Sequence, residues 1–312
     1  MIPGRVTIGI PTRNRAEFAY RAVRSALAQT NSDIEVIVSD NASTDDTLSR
    51  LDAVASPSLS VLRQTENAGM VANFNACLEA ANGEFFLLLS DDDVLDPRAI
   101  ELLSLPLLDP AGAIGISWSP CKILNSEGQT LWTSGGGPGL EPSLSMVSKS
   151  LAGQRGPRLC SVLLRTADAR AVGGYEERHG ALCDIGNWMR VALQYDFAAC
   201  HEQPLASYTM HHGSETSGGA CRQWRHWAET VSADLLEAAR GRAEQSSVRE
   251  LQAAGKRLVA CSIATVLMSN KGNPGWLRYA LRESIEAREY MCTPFVAGRL
   301  LRDGLRLLRL GA

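Results

Sequence analysis

The strongest constraint on the fold is an alternation of segment types across residues 6–89. β-rich apolar runs at Val6–Ile10, Ile34–Ser39, Leu59–Leu62 and Glu84–Leu89 are separated by helix-like segments at Arg15–Ala28, Thr44–Val54 and Met70–Ala81. In the first helical segment Phe18, Ala22, Val23, Ala26 and Leu27 recur at helical spacing. Ile34–Ser39 is Ile and Val around a single Glu, the pattern of a strand buried on both faces. Ser43 or Thr44 suits the N-cap of the second helix, and Asn82-Gly83 stops the third. This β-α-β-α-β-α-β order predicts an α/β fold with a mostly parallel sheet and helices on both faces.

Such sheets bind ligands at the carboxyl ends of their strands. Polar clusters sit at those ends: Thr12-Arg13-Asn14-Arg15, Asp40-Asn41-Ala42-Ser43, Asn67-Ala68-Gly69 and Asp91-Asp92-Asp93. Four loops converging on one edge carry more weight than any one of them. Three adjacent carboxylates repel one another, and a cation or hydrogen-bond donors must offset that cost. A hard divalent ion takes one or two carboxylates and completes its shell with phosphate oxygens and water. The competing reading of Asp91–Asp93 is a solvated turn that caps the helix from Pro97. For Asp40, a capping turn and a hydrogen bond to the base or ribose of a nucleotide are equally compatible with the sequence.

Strand-like pieces at Ile114–Trp118, Leu159–Leu164 and Leu205–Met210 follow, separated by glycine-rich turns, and Gly135-Gly136-Gly137-Pro138-Gly139 reads as a mobile loop. From residue 221 on the texture is helical, with breaks near Gly241, Gly272–Pro274 and Pro294. The boundaries expected are therefore a catalytic α/β unit at 1–218 and a helical region at 219–312.

Charge is unevenly spread. Residues 1–220 hold 16 Lys/Arg against 25 Asp/Glu, whereas 221–312 hold 15 against 9. An acidic front excludes nucleic acid as its ligand, because phosphate backbones demand clustered cations. The eight cysteines are scattered singly with no CxxC pair, which argues against zinc and for a reduced protein. The start of the chain lacks signal-peptide character and no apolar run is long enough to span a bilayer, so a cytoplasmic location is expected. Arg299, Arg302, Arg306 and Arg309 interleave with Leu300, Leu301, Leu305 and Leu308. That amphipathic basic helix predicts a homo-oligomer or peripheral membrane contact through 294–312, at the inner face of the membrane.

Taken in order, Val6-Thr7-Ile8-Gly9-Ile10-Pro11-Thr12-Arg13-Asn14-Arg15, Asp40-Asn41-Ala42-Ser43-Thr44-Asp45, Asn67-Ala68-Gly69 and Leu89-Ser90-Asp91-Asp92-Asp93 resemble the motifs of family 2 glycosyltransferases with the GT-A fold. The resemblance covers about residues 1–215. It implies inverting transfer of a sugar from a nucleoside-diphosphate sugar, a UDP-sugar, with Mn²⁺ or Mg²⁺. Carried over by position, Pro11, Thr12, Arg13, Arg15, Asn67 and Gly69 belong to the nucleotide-sugar site, Asp40 contacts the base, and Asp91 faces the ribose or donor sugar. Asp92 falls on the metal-binding aspartate of the DxD motif, with Asp93 beside it, and Ser90 stands where that motif begins with an aspartate.

Gly173-Gly174-Tyr175-Glu176-Glu177 and Cys183-Asp184-Ile185-Gly186-Asn187-Trp188-Met189-Arg190 resemble the acceptor-side segment of the same family. Asp184 falls on its catalytic base, and Cys183 replaces the preceding Glu. An acceptor hydroxyl is a poor nucleophile, so a carboxylate must take its proton. The same Asp184 also suits a helix N-cap. Tyr208-Thr209-Met210-His211-His212-Gly213-Ser214 resembles the family's late histidine loop, with Thr209 in place of its arginine and His211 as a metal or diphosphate contact. The implied acceptor is a glycan, a lipid-linked molecule or a small molecule. Two other functions compete: a nucleotidyltransferase, which needs a glycine-rich triphosphate loop absent after the first strand, and a non-catalytic nucleotide-sugar-binding protein, which has no need of Asp91–Asp93 and Asp184.

Overall fold

The computed structural model describes residues 1–31, 33–211, 220–240, 242 and 244–269. The alternation is realised as β1 (Ile2–Thr12), α1 (Ala16–Leu27), β2 (Ile34–Asp40), α2 (Thr47–Asp52), β3 (Leu59–Arg63), α3 (Met70–Ala80) and β4 (Gly83–Leu88). β5 (Val94–Leu95), α4 (Ala99–Ser104), β6 (Ile114–Trp118), β7 (Cys121–Leu124), β8 (Thr130–Thr133) and β9 (Leu140–Pro142) follow. Next come α5 (Ser143–Leu151), β10 (Val162–Arg165), α6 (Thr166–Ala171), α7 (Cys183–Ala192), β11 (Phe197–Cys200) and β12 (Ala206–Thr209). Two long helices close the described chain, α8 (Cys221–Ala239) and α9 (Gln245–Ser269).

The main sheet runs β3-β2-β1-β4-β10-β6-β11-β9. Its first four strands are parallel, and the register sets Thr12 opposite Asp40 and Asp40 opposite Arg63. Leu89, just past β4, donates its N–H to the Gly9 carbonyl at 2.8 Å. The loops after β1, β2 and β4 therefore open on one edge. The sheet becomes mixed at β10, which is antiparallel to both β4 and β6. A smaller sheet, β5-β12-β7-β8, lies beyond.

Side-chain alternation divides β4 between two cores. Phe85, Leu87 and Leu89 pack with Val6, Ile8, Ile10 and the buried residues of α1, while Phe86 and Leu88 pack with α3, α7 and Trp118. Gly9 makes the second contact close: a Cβ there would stand 2.7 Å from Cys77 Cβ of α3 and 3.0 Å from the Phe86 ring. Trp224, Ala228, Val231 and Leu235 of α8 join Leu251, Ala254 and Leu258 of α9 in the same core as Trp188 and Met189 of α7. The helical segment thus buries its apolar face against α7 and α5 rather than standing apart. No described helix is long and apolar enough to cross a membrane.

Two local readings change. The second helix begins at Thr47, not Thr44, because Asp45 Oδ1 accepts the Thr47 N–H at 3.0 Å and holds Asp40–Asp46 as a loop. Gly135–Gly139 packs against the sheet: the Gly137 N–H donates to Cys200 Sγ at 2.8 Å, and Cys200 N–H to the Gly139 carbonyl at 2.7 Å. The arginine–leucine tail at 294–312, with His212, Gly213 and Ser214, lies outside the described residues.

Candidate active site

The carboxylate loop is built inward. Asp91, Asp92 and Asp93 are 4%, 8% and 0% exposed, so this is no solvated turn. Asp91 accepts the Thr12 hydroxyl at 2.7 Å through Oδ2 and the Arg15 guanidinium at 3.0 Å through Oδ1. The same Arg15 nitrogen reaches Asp92 Oδ2 at 3.1 Å. Burial pushes the Asp91 carboxyl up to about 6, against the pull of Arg15 and aided by the charge on Asp92.

Asp92 also meets His211, whose Nε2 lies 2.7 Å from Oδ2. The His211 ring stacks on Phe18 of α1, centroids 5.3 Å apart and 18° from parallel. Phe18 was legible only as part of the helix's apolar face; its packing partner, almost two hundred residues on in the chain, was not. Asp93 turns the other way: its Oδ1 accepts the Thr209 N–H at 2.9 Å, and burial raises its carboxyl well above the ordinary range. It ties the loop after β4 to the end of β12.

Across the same edge, at the end of β2, Asp40 is fully buried, with Oδ2 accepting the Ser43 N–H at 3.0 Å and Oδ1 lacking a hydrogen-bond partner among the described residues. Asn14 and Ala42 adopt left-handed φ of 53° and 55°. They are clamped together: Asn14 N–H donates to Ser43 Oγ at 2.8 Å, and Thr44 N–H to Asn14 Oδ1 at 2.7 Å. Asn41 Nδ2 donates to Asn67 Oδ1 at 3.0 Å and Oδ1 accepts the Ala68 N–H at 2.9 Å. Gly69, at φ 90° with open space around its Cα, starts α3. Pro11 is buried at the end of β1 and Arg13 is exposed. The structure thus brings Pro11, Thr12, Arg15, Asp40, Asn67, Gly69, Asp91, Asp92 and His211 to one edge, with Arg13 at its rim. The asparagine clamp through Asn14 and Asn41 was not singled out in sequence, although the motifs contain both residues.

Asp184 belongs to a second wall. It sits in the first turn of α7, whose N-cap is Leu182 without a side-chain cap. Asp184 is therefore not the capping residue. Its Oδ1 accepts the adjacent Ile185 N–H at 2.7 Å, and desolvation pushes the carboxyl up to about 6 although backbone N–H groups and Arg158 pull it down. The Arg158 guanidinium also lies 5.4 Å from the Tyr208 ring, next to the Thr209 that holds Asp93. Through Arg158 and Tyr208 this wall meets the carboxylate loop.

The neighbouring Glu176 is committed elsewhere. It forms ion pairs with Arg190 and Arg178, while Asp234 of α8 binds Arg178 at 2.8 Å and His179 Nε2 at 2.6 Å. Glu176, His179 and Asp234 have the spacing of a metal cluster, but two arginines already balance their charge. Gly180, at φ 50°, lets the Trp227 indole lie where a Cβ would come within 1.9 Å of it.

The model of glycosyl transferase family 2 matches residues 7–134. An uncharacterized protein of Mycobacterium tuberculosis, MT1568, is 26% identical over 220 residues, 65% of this chain and 67% of the relative. Several curated relatives at 30% identity or above match over 31% to 40% of this chain and 10% to 36% of their own length. Staphylococcus aureus TarS 1-349 in complex with UDP-GlcNAc superposes with a TM-score of 0.64 at 15% identity, over 91% of this chain and 89% of that one. A Pyrobaculum calidifontis mannosyltransferase in complex with GDP-Man and Mn²⁺ superposes with a TM-score of 0.54 at 17% identity, over 96% of this chain and 87% of that one. The fold is that of GT-A glycosyltransferases.

Proposed function

We propose that this chain, whose residues 7–134 match the model of glycosyl transferase family 2, is a glycosyltransferase that moves a sugar from a UDP-sugar to an acceptor hydroxyl with inversion at the anomeric carbon. The observation that carries this reading is the convergence of Thr12, Arg15, Asp91, Asp92 and His211 at the carboxyl edge of the parallel strands. The UDP-GlcNAc bound to TarS, which shares this fold, supports a nucleotide-sugar donor.

Each residue has a role that its environment supports. Asp40 presents a buried, unpartnered Oδ1, which suits an N–H on the edge of a uracil base. Thr12 and Arg15 fix Asp91 so that it faces the ribose or donor sugar. Pro11, Arg13, Asn67 and Gly69 shape the nucleotide cleft, and the freedom around Gly69 allows backbone to approach a ligand closely. A carboxylate beside an imidazole nitrogen is a donor set that fits Mn²⁺, or Mg²⁺ less well, so Asp92 and His211 would hold the ion. Bound there, it would neutralise charge on the departing diphosphate. Asp93 stands behind that pair, fully buried, with Oδ1 accepting the Thr209 N–H and Oδ2 without a hydrogen-bond partner among the described residues.

Asp184 takes the acceptor proton. A carboxylate poised near 6 is a stronger base than an ordinary one and is still ionised at neutral pH. Among the described residues no salt bridge forms to it, and Arg158 acts on it only as a nearby charge. Direct attack by the activated hydroxyl on the face opposite the diphosphate gives inversion. We read residues 1–218 as the catalytic unit and 219–312 as a helical region that supports the acceptor wall through Asp234 and Trp227. We further read the chain as cytoplasmic, with 294–312 as an oligomer or membrane-surface contact.

The test is incubation with a panel of nucleotide sugars and Mn²⁺, following hydrolysis or transfer and the anomeric configuration of the product by NMR. UDP-sugar turnover with an inverted product supports the proposal. A retained configuration, or no nucleotide sugar consumed, contradicts it.

A further inference from the structure

Behind the carboxylate loop two thiols face each other. Cys121 opens β7 and Cys160 lies in the turn before β10. Both are fully buried, and their sulfurs are 3.8 Å apart although 39 residues separate them in the chain. The proposed reaction uses neither. Hydrogen bonds hold the backbone on either side: Cys121 N–H donates to Ser134 Oγ at 2.8 Å, and Ser119 N–H to the Ser161 carbonyl at 3.2 Å. The second of these stitches the two cysteine-bearing segments together beside the sulfurs, so their approach is fixed by the fold.

We propose that Cys121 and Cys160 form a site of reversible oxidation, closing to a disulfide under hydrogen peroxide and reopening under a thiol reductant, and that closure weakens nucleotide-sugar binding at the adjacent edge. The last clause rests on the function proposed above.

The chemistry balances in two steps. The Cys121 sulfur attacks one peroxide oxygen, the O–O bond breaks, and a sulfenic acid and one water form. The Cys160 sulfur then attacks the sulfenic sulfur, the S–S bond forms as the S–O bond breaks, and the hydroxide leaves as water with the Cys160 proton. Two thiols lose two electrons, and one peroxide becomes two waters. The hydrogen-bonded contact with Cys160 holds the Cys121 thiol below its ordinary range, which favours Cys121 as the first to react. Burial of both sulfurs restricts the oxidant to a molecule near the size of water.

Closure has a route to the donor edge. A disulfide needs its sulfurs about 2.0 Å apart, so this gap must contract by roughly 1.8 Å. β7 pairs in parallel with β12, from Cys121 opposite Ala206 to Leu124 opposite Thr209. Thr209 holds Asp93, and His211 follows two residues later. Contraction at the start of β7 is thus felt along the strand that ends at the Asp92–His211 contact.

The experiment treats the reduced full-length chain with hydrogen peroxide, removes the peroxide and alkylates remaining thiols. Non-reducing peptide mapping by mass spectrometry is followed by titration with UDP and Mn²⁺. The expected result is a Cys121–Cys160 linked peptide in most molecules, reversed by dithiothreitol. It should come with a loss of UDP affinity of about fivefold or more that the reductant restores. Cys160→Ser cannot link and should keep its UDP affinity through the same treatment. Free thiols at both positions, linkage to other cysteines, or a linked protein that binds UDP as tightly as the reduced one each overturn the proposal. If the reduced protein binds no nucleotide, the functional reading fails, and the peptide map still decides whether the disulfide site exists.

Discussion

The two walls of the candidate site are built in opposite ways. The donor wall is a dense net in which every carboxylate oxygen of Asp91 has a donor, and one Arg15 nitrogen serves both Asp91 and Asp92. The other wall offers Asp184, whose carboxylate meets backbone N–H groups of its own turn and no side-chain donor among the described residues. The proposed function accounts for the difference. A group that orients a nucleotide must be rigid, and multiple hydrogen bonds supply that. A group that takes a proton must keep a lone pair uncommitted and its basicity high, and sparse bonding with desolvation supplies that.

The largest expected effect breaks the acceptor wall alone. Asp184→Asn removes the proton acceptor with little change in shape and should lower transfer by about 10²–10⁴-fold. UDP affinity should stay within about twofold of wild type, since no donor contact is lost. Steady-state kinetics beside calorimetric titration check both. Because desolvation disfavours the Asp184 carboxylate, this variant should also melt at or above the wild-type temperature at pH 7, where a merely structural aspartate would lower it.

Asp92→Asn breaks the donor wall and should act the other way. It should weaken UDP binding in the presence of Mn²⁺ by at least about tenfold, the scale of a lost charge-assisted contact, while uridine affinity changes little. Equal effects on UDP and uridine would place Asp92 at the base rather than at the diphosphate.

The pH profile sharpens the same contrast. Asp184 titrates at about 6, and its ionised form is the base, so kcat should fall roughly tenfold per pH unit well below that value and level off above it. Sign matters for stability too: this raised carboxyl binds its proton more tightly folded than unfolded. Its desolvation cost is absent below about 4, grows between about 4 and 6 and is complete above 6. Asp91 is raised likewise, so the limb should be traced in Asp184→Asn as well. A residual activity in that variant with an unchanged limb would assign the limb to Asp91.

The smallest effect on chemistry comes from Gly180→Ala. Its left-handed φ and the Trp227 contact predict a loss of about 2–4 kcal/mol of stability, read from the urea midpoint. Donor affinity of the folded fraction should be preserved, because the strain lies on the acceptor wall.

The donor wall was far more legible in the sequence than the acceptor wall, and the reason is topological. Parallel strands with helical crossovers place successive loops on one edge, so Thr12, Asp40 and Asp91 could be grouped from their positions after strands. Distances within the group could not, since the Thr12–Asp91 bond spans 79 residues and depends on β1 pairing with β4. His211 could be placed beside the carboxylates by resemblance, but its stacking on Phe18 could not, because that side chain read as core. The small sheet escaped for local reasons: β5 is two residues long, and every residue of β8 is exposed, leaving no alternation to read. Glu176, in the segment that carries the resemblance on this side, is occupied by Arg178 and Arg190, and neither ion pair can be read from the sequence. No spacing rule pairs Cys121 with Cys160; the pairing of β10 with β6 does.

The central claim is that the carboxyl edge of the parallel strands binds a nucleoside diphosphate through Asp40 at the base and Asp92 at the diphosphate. Isothermal titration of the wild-type chain with UDP, in Mn²⁺ and again in EDTA, tests it most directly. The account predicts saturable binding that weakens by at least about tenfold without the metal and is lost in an Asp40→Ala, Asp92→Asn double variant that still unfolds cooperatively. Binding that is equal with and without metal, and survives in the double variant, would contradict it.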